Sequence, residues 1–170
     1  ASAVAPVKVV MRPGNHDEQT AFFLGDLLAA WYRNNPAVEI VNIPAPRCYE
    51  VYGQSLIGFA HGHNEKPGSL PMLMATEQAK AWAATTFHDW LIAHKHRKGV
   101  LVDEESGVQT HTMPSLCGRD SWHGAKGFGH RRSCEVRIYH IDEGPIAELT
   151  IPASIVSAKS SARPRKRKAA

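Results

Sequence analysis

Asn15, His16 and Asp17 stand side by side in the stretch VVMRPGNHDEQTAFF, directly after an apolar run and a Pro-Gly break. An amide oxygen, an imidazole and a carboxylate in one short turn can ligate a cation, move a proton or cap a helix. Two more apolar runs lead to histidines: LIGFA reaches His61 and His63, and WLIA reaches His94 and His96. Imidazole nitrogens and an amide oxygen suit first-row divalent metals. Residues two apart on a strand point to one face, so a strand carried through 94–96 presents His94 and His96 to one site. The other five histidines, His88, His111, His123, His130 and His140, fall in no such pattern and read as surface or satisfied core residues.

These groups converge only if the runs before them are strands whose ends share one sheet rim, the place where α/β folds build sites. Strands are expected at 7–11, 38–42, 48–52, 55–60, 90–94, 99–103, 107–113, 134–141 and 145–151. A helix is expected over 18–34, with Ala21, Leu24, Leu28 and Trp31 on its apolar face and Asp17 as N-cap. A second helix is expected at about 70–84, after the Gly/Pro-rich loop 61–71. Segment 114–133 is long, glycine-rich and polar, the composition of a functional or mobile loop. Strands mixed with a few helices predict an α/β fold, a layered mixed β-sheet sandwich flanked by helices.

The 170 residues are 43% hydrophobic and 21% charged, the balance of an ordinary globular domain with one core. No apolar run approaches the roughly 18 residues of a membrane span, and the N-terminus has no signal-peptide pattern. Cys48, Cys117 and Cys134 are odd in number and widely spaced, which points to a reducing compartment. Formal net charge is +4, but six of the twenty cationic residues lie in the last twelve. That leaves 14 against 16 acidic residues, a net −2 over residues 1–158. The expected organisation is a domain over 1–153 and a disordered basic tail over 154–170. Arg163, Arg165, Lys166, Arg167 and Lys168 make that tail a candidate for phosphate backbones, and equally for a solvated terminus.

Gly-Asn-His-Asp after a strand, His-Gly-His after a later one and Ala-His-Lys-His after a third resemble the calcineurin-like metallophosphoesterases. The resemblance spans about residues 7–151, with Ala93 where the family usually has glycine. The wider run GNHDEQTAFFLGDLLAAWYRNNPAVEI…YGQSLIGFAHGHNEK is similar to a subgroup common in phage and prophage genomes. The resemblance implies a hydrolase of phosphomonoesters or phosphodiesters, nucleotides and nucleic acids included, in the cytoplasm or the host cytoplasm. It implies two divalent ions, of Mn, Fe, Zn, Ni or Mg, bridged by a hydroxide that attacks phosphorus. Asn15, His61 and His94 would ligate one ion and His96 the other, with His63 as the alternative to His61. His16 would be the acid, and Asp17 would orient it or cap the helix.

The family pattern also has Asp-x-His and Gly-Asp elements ahead of its Gly-Asn-His-Asp. This sequence contains no Asp-x-His, and its Leu-Gly-Asp at 24–26 comes too late in the order. The expectation is therefore the C-terminal two-thirds of such a domain, completed by a preceding segment or a partner chain. Two further classes stay open. One is a non-catalytic scaffold that associates with nucleic acid through the tail. The other is a structural zinc site drawn from His61, His63, His94, His96 or Cys117.

Overall fold

The computed structural model describes residues 2–94, 99–103, 106–116 and 132–155. In order these form β1 (Val7–Val10), α1 (Glu18–Tyr32), β2 (Val38–Val41), β3 (Arg47–Tyr52) and β4 (Ser55–Ala60). Then follow α2 (Leu70–Glu77), α3 (Ala79–Ala84), β5 (Phe87–Ile92), β6 (Gly99–Asp103), β7 (Val108–Thr112), β8 (Ser133–His140) and β9 (Gly144–Pro152). The architecture is mixed α/β with helices outside the sheets, as the pattern of runs predicts. The strands divide into a five-stranded sheet of order β3-β4-β5-β7-β6, a parallel pair β1-β2 and an antiparallel ribbon β8-β9.

The centre of the large sheet is parallel, β4-β5-β7, with antiparallel edges at β3 and β6. Parallel strands are covered on both faces, so SLIGFA reads as a near-continuous apolar run and is buried almost throughout. One face carries Leu56, Ala60, Trp90, Ile92 and Val108, which pack against Leu70 and Met74 of α2. The Trp90 indole donates to the Leu70 carbonyl at 2.9 Å. Gly58 leaves room for that ring, since a Cβ there would stand 2.6 Å from it. The opposite face presents Asp89 and His111 to β8, where the Tyr139 hydroxyl donates to Asp89 at 2.8 Å.

Three local expectations are corrected. The helix over 70–84 breaks at Gln78, which leaves helical geometry (φ −124°, ψ 40°). The break turns α3 so that Trp82 stacks on His88, ring centroids 3.9 Å apart. Helix α1 buries Gly25 and half-buries Ala21, Phe22 and Leu28, whereas Leu24 and Trp31 are 47% and 78% exposed. Its rotation is set by Gly25, whose missing Cβ admits the Asn42 amide, which in turn donates to the Phe22 carbonyl at 2.9 Å. Strand β5 ends at Ile92, two residues before His94. Tail residues 156–170, His96, Cys117, His123, His130 and most of the loop 114–133 lie outside the described residues. Among the described residues no helix is long and apolar enough to cross a membrane.

Candidate metal and phosphate site at the strand rim

Because β4 and β5 are parallel neighbours paired Ala60 to Ile92, the residues after them leave the sheet at one rim. The Ala93 amide donates to the His61 carbonyl at 3.0 Å, which extends the pairing by one step. The chain then turns sharply on both sides. Gly62 sits at φ 92°, and His94 at φ 59°, in the left-handed region, where a non-glycine residue costs roughly 1–3 kcal/mol. His94 therefore leaves the strand, while His96, expected beside it, lies outside the described residues. The left-handed turn instead brings His94 Nδ1 to 3.3 Å from His61 Nε2.

The third group comes from the other sheet. After β1 the Met11 amide still donates to Val41, and the Arg12 guanidinium then donates to the Ala45 and Ile43 carbonyls. Pro13-Gly14 breaks the strand, and Gly14 is buried against His61. A Cβ on Gly14 would stand 2.8 Å from the imidazole carbon Cε1, so only glycine lets this turn approach His61. Asp17 neither caps α1 with its side chain nor is tied to His16. Its carboxylate accepts the Gly14 amide at 2.7 Å, while the Asp17 amide donates back to the Gly14 carbonyl at 3.3 Å. The turn closed this way holds the Asn15 amide oxygen 3.1 Å from His61 Nε2.

Asn15 Oδ1 and His94 Nδ1 thus both lie within hydrogen-bond distance of one nitrogen. Donors about 2.1 Å from a shared ion stand roughly 3.0–3.4 Å from each other in octahedral or tetrahedral arrangements. The separations of 3.1 and 3.3 Å fall in that span, and the oxygen-nitrogen-nitrogen set suits a first-row divalent ion. The His63 ring centroid is 5.3 Å from that of His61, against 5.2 Å between His61 and His94, and 6.1 Å from that of His94. His63 Nδ1 is buried without a hydrogen-bond partner among the described residues. His16 is exposed in the Asn15 turn. Among the described residues, no group of three His, Cys, Asp or Glu side chains is arranged to hold a metal ion.

A charged cluster braces the His61–His63 loop from below. Arg47 pairs with Glu65 at 3.1 Å and with Glu77 at 2.6 Å, and the Tyr49 hydroxyl donates to Glu77 at 2.6 Å. The guanidinium beside it holds the Glu77 carboxyl below its usual range, and burial, reinforced by Glu77, pushes the Tyr49 hydroxyl up. Neither this brace nor the Gly14 contact had a local signal in the sequence, because each joins elements distant along the chain.

No protein-family profile matches the sequence, and neither does any curated protein. Among solved structures, a Vps29 double mutant from Entamoeba histolytica is 12% identical, with 88% of this chain and 85% of that chain covered and a TM-score of 0.43. A conserved protein of Streptococcus pneumoniae described as a predicted phosphoesterase is also 12% identical, with 84% and 96% covered and a TM-score of 0.34. Both TM-scores lie below one half, so these likenesses assign neither a family nor an activity.

Proposed function

We propose that the chain is a metal-dependent phosphoester hydrolase of the calcineurin-like type, akin to the phage and prophage subgroup, with Asn15, His61 and His94 holding a divalent ion. The observation that carries this reading is the placement of Asn15 Oδ1 and His94 Nδ1 around His61 Nε2. A bound divalent ion supplies a water acidic enough to act as nucleophile near neutral pH, and positive charge for the phosphoryl oxygens. The chain's own residues do the rest. Gly14 and Asp17 fix the turn that aims Asn15. His16, exposed beside Asn15, holds a proton for the departing alkoxide oxygen, work that a positioned imidazole does well. The left-handed turn at His94 keeps that ring against His61 instead of letting it follow the strand.

An amide and two imidazoles bring no negative charge, so we assign the carboxylate ligands of the family's Asp-x-His and Gly-Asp elements to a partner chain or a preceding segment. His96 is the residue proposed for a second ion. The same shortage favours a second reading, a scaffold of this type without catalysis, in which the 170 residues alone turn over little or no substrate.

The test is calorimetric titration of the purified chain with Mn²⁺ and Zn²⁺, beside hydrolysis of a chromogenic phosphodiester. Saturable binding that His94→Ala removes and His16→Ala leaves intact supports the site. Turnover that His16→Ala abolishes selects the enzyme, and metal binding without turnover, even when the remaining ligands are supplied by an added segment, selects the scaffold. A wild-type chain that binds neither ion refutes both.

A further inference from the structure

A cleft of about 420 Å³ opens beside His61 between α1 and the segment after β2. Its walls are Phe22 and Phe23 on one side and Pro13, Pro44 and Pro46 on the other. Both walls are fixed in advance. The Asn42 amide clamps the Phe22 carbonyl and Asp26 at 2.9 Å each, and Arg12 holds the Pro44–Pro46 turn through Ala45. The Phe22 and Phe23 rings meet edge to face, centroids 6.3 Å apart. The polar end carries His61 and His63, and the Glu65 carboxylate there is pinned by Arg47. Among the described lining residues there is no Lys or Arg, whereas Glu18 and Glu65 both line the cleft.

These features decide what fits. Glu65 is already paired with Arg47, and the Glu18 carboxylate, with no cation in the described lining, disfavours a second phosphate, because no lining group offsets the desolvation of further anionic charge. Flat aromatic and proline walls favour a planar uncharged ring, which buries its faces and keeps polar edges for the rim. The volume lies in the usual range of small-molecule sites, roughly 300–1,000 Å³. The cleft shares His61 with the trio, so a phosphate held there directs its organic group along the rim.

We propose that this cleft is the subsite for the organic half of the phosphoester, that it takes one uncharged planar ring system, a nucleobase or an aryl group, and that it rejects a further phosphate. Phe22 and Phe23 are its specificity residues. The proposal rests on the phosphoester reading above, and the experiment separates the two. Binding of adenosine monophosphate, phenyl phosphate, glycerol phosphate, orthophosphate, pyrophosphate and free adenosine to the full chain is measured by calorimetry, with Mn²⁺ present. The two ring-bearing phosphates are expected to bind roughly 5- to 150-fold tighter than glycerol phosphate, the range of ring stacking on an aromatic side chain. Pyrophosphate should bind no tighter than orthophosphate. Phe23→Ser should erase most of the gain and leave glycerol phosphate unchanged. Phe23 is 67% exposed, so folding is not at stake, and the milder Phe22→Leu gives a second reading of the same wall. Preference for adenosine monophosphate over phenyl phosphate identifies a nucleobase, and the reverse an aryl group. Equal affinity for ring-bearing and ring-free phosphates, or a gain that survives both variants, overturns the subsite. If no phosphate binds, the phosphoester reading falls; adenosine binding lost in Phe23→Ser then still supports a ring site, and its absence overturns that too.

Discussion

Two histidine environments lie on either side of the Trp90 strand, and they are built on opposite principles. Under the β8-β9 ribbon, His111 and Asp89 are 4% and 3% exposed and surrounded by charge. Arg137 lies within hydrogen-bond distance of both His111 ring nitrogens, 2.8 Å from Nδ1 and 3.3 Å from Nε2, and Nε2 also faces Asp89 at 3.7 Å. Arg137 also pairs with Glu135 and Glu148, and Tyr139 donates to Asp89. Burial, with the Asp89 carboxylate beside it, pushes the Tyr139 hydroxyl upward. At the strand rim, by contrast, Asn15, His61 and His94 crowd together with no opposite charge in the trio, on strained backbone, beside a buried His63 nitrogen that has no hydrogen-bond partner among the described residues. A histidine enclosed by charged partners does structural work. A cluster of lone-pair donors held by backbone geometry is what the proposed metal site requires.

That contrast can be broken or sharpened by substitution. His16→Ala is expected to cut phosphodiester turnover by about 10²–10⁴-fold in a metal-loaded, completed enzyme and to leave metal content unchanged. Steady-state kinetics with metal analysis checks it, and equal loss of metal would move His16 into the ligand set. Arg137→Met removes the cation that Glu135, Glu148 and His111 share and should cost about 3–5 kcal/mol. For a domain of this size that lowers the melting temperature by roughly 6–20 °C, with metal affinity retained in the folded fraction. His94→Ala is expected to do the reverse. Metal affinity should fall by at least about 100-fold, since even a ligand's supporting partner is worth 10–100-fold, while the fold largely holds. A stability loss at His94 as large as that at Arg137 would erase the distinction drawn between the two regions.

The smallest effect is in the pH profile. Burial against Trp82 holds the His88 imidazole below its ordinary value of 6.5. The unfolded chain therefore binds a proton before the folded one does, and stability present above pH 6.5 declines as the pH falls towards the folded value. Glu77, lowered by Arg47, adds a second decline, which begins below its ordinary 4.5. Thermal melts between pH 8 and 5 should show a shallower slope for His88→Gln. An unchanged slope would mean that another group carries the proton linkage.

The alternation and length of the apolar runs determined most of the elements. SLIGFA became β4 over the expected residues, and GVLVD became β6. Period-2 and period-3.6 burial is a local property of the chain, so it is legible without the fold. The types of the rim residues were legible for the same reason. Which face α1 turns inward was not, because Gly25 and Asn42 set it from 17 positions apart in the sequence. The break at Gln78 carries no glycine or proline to announce it. The end of β5 was misplaced because strand propensity continues through Ala93, whereas the left-handed turn at His94 is imposed by packing at the rim. Only the tertiary structure decided that Asn15, from the smaller sheet, meets His61 from the larger one. Their approach depends on a missing Cβ at Gly14, on the Asp17 carboxylate that closes its turn, and on the parallel register of β4 with β5. Those are distances between elements far apart along the chain, and no residue's identity contains them.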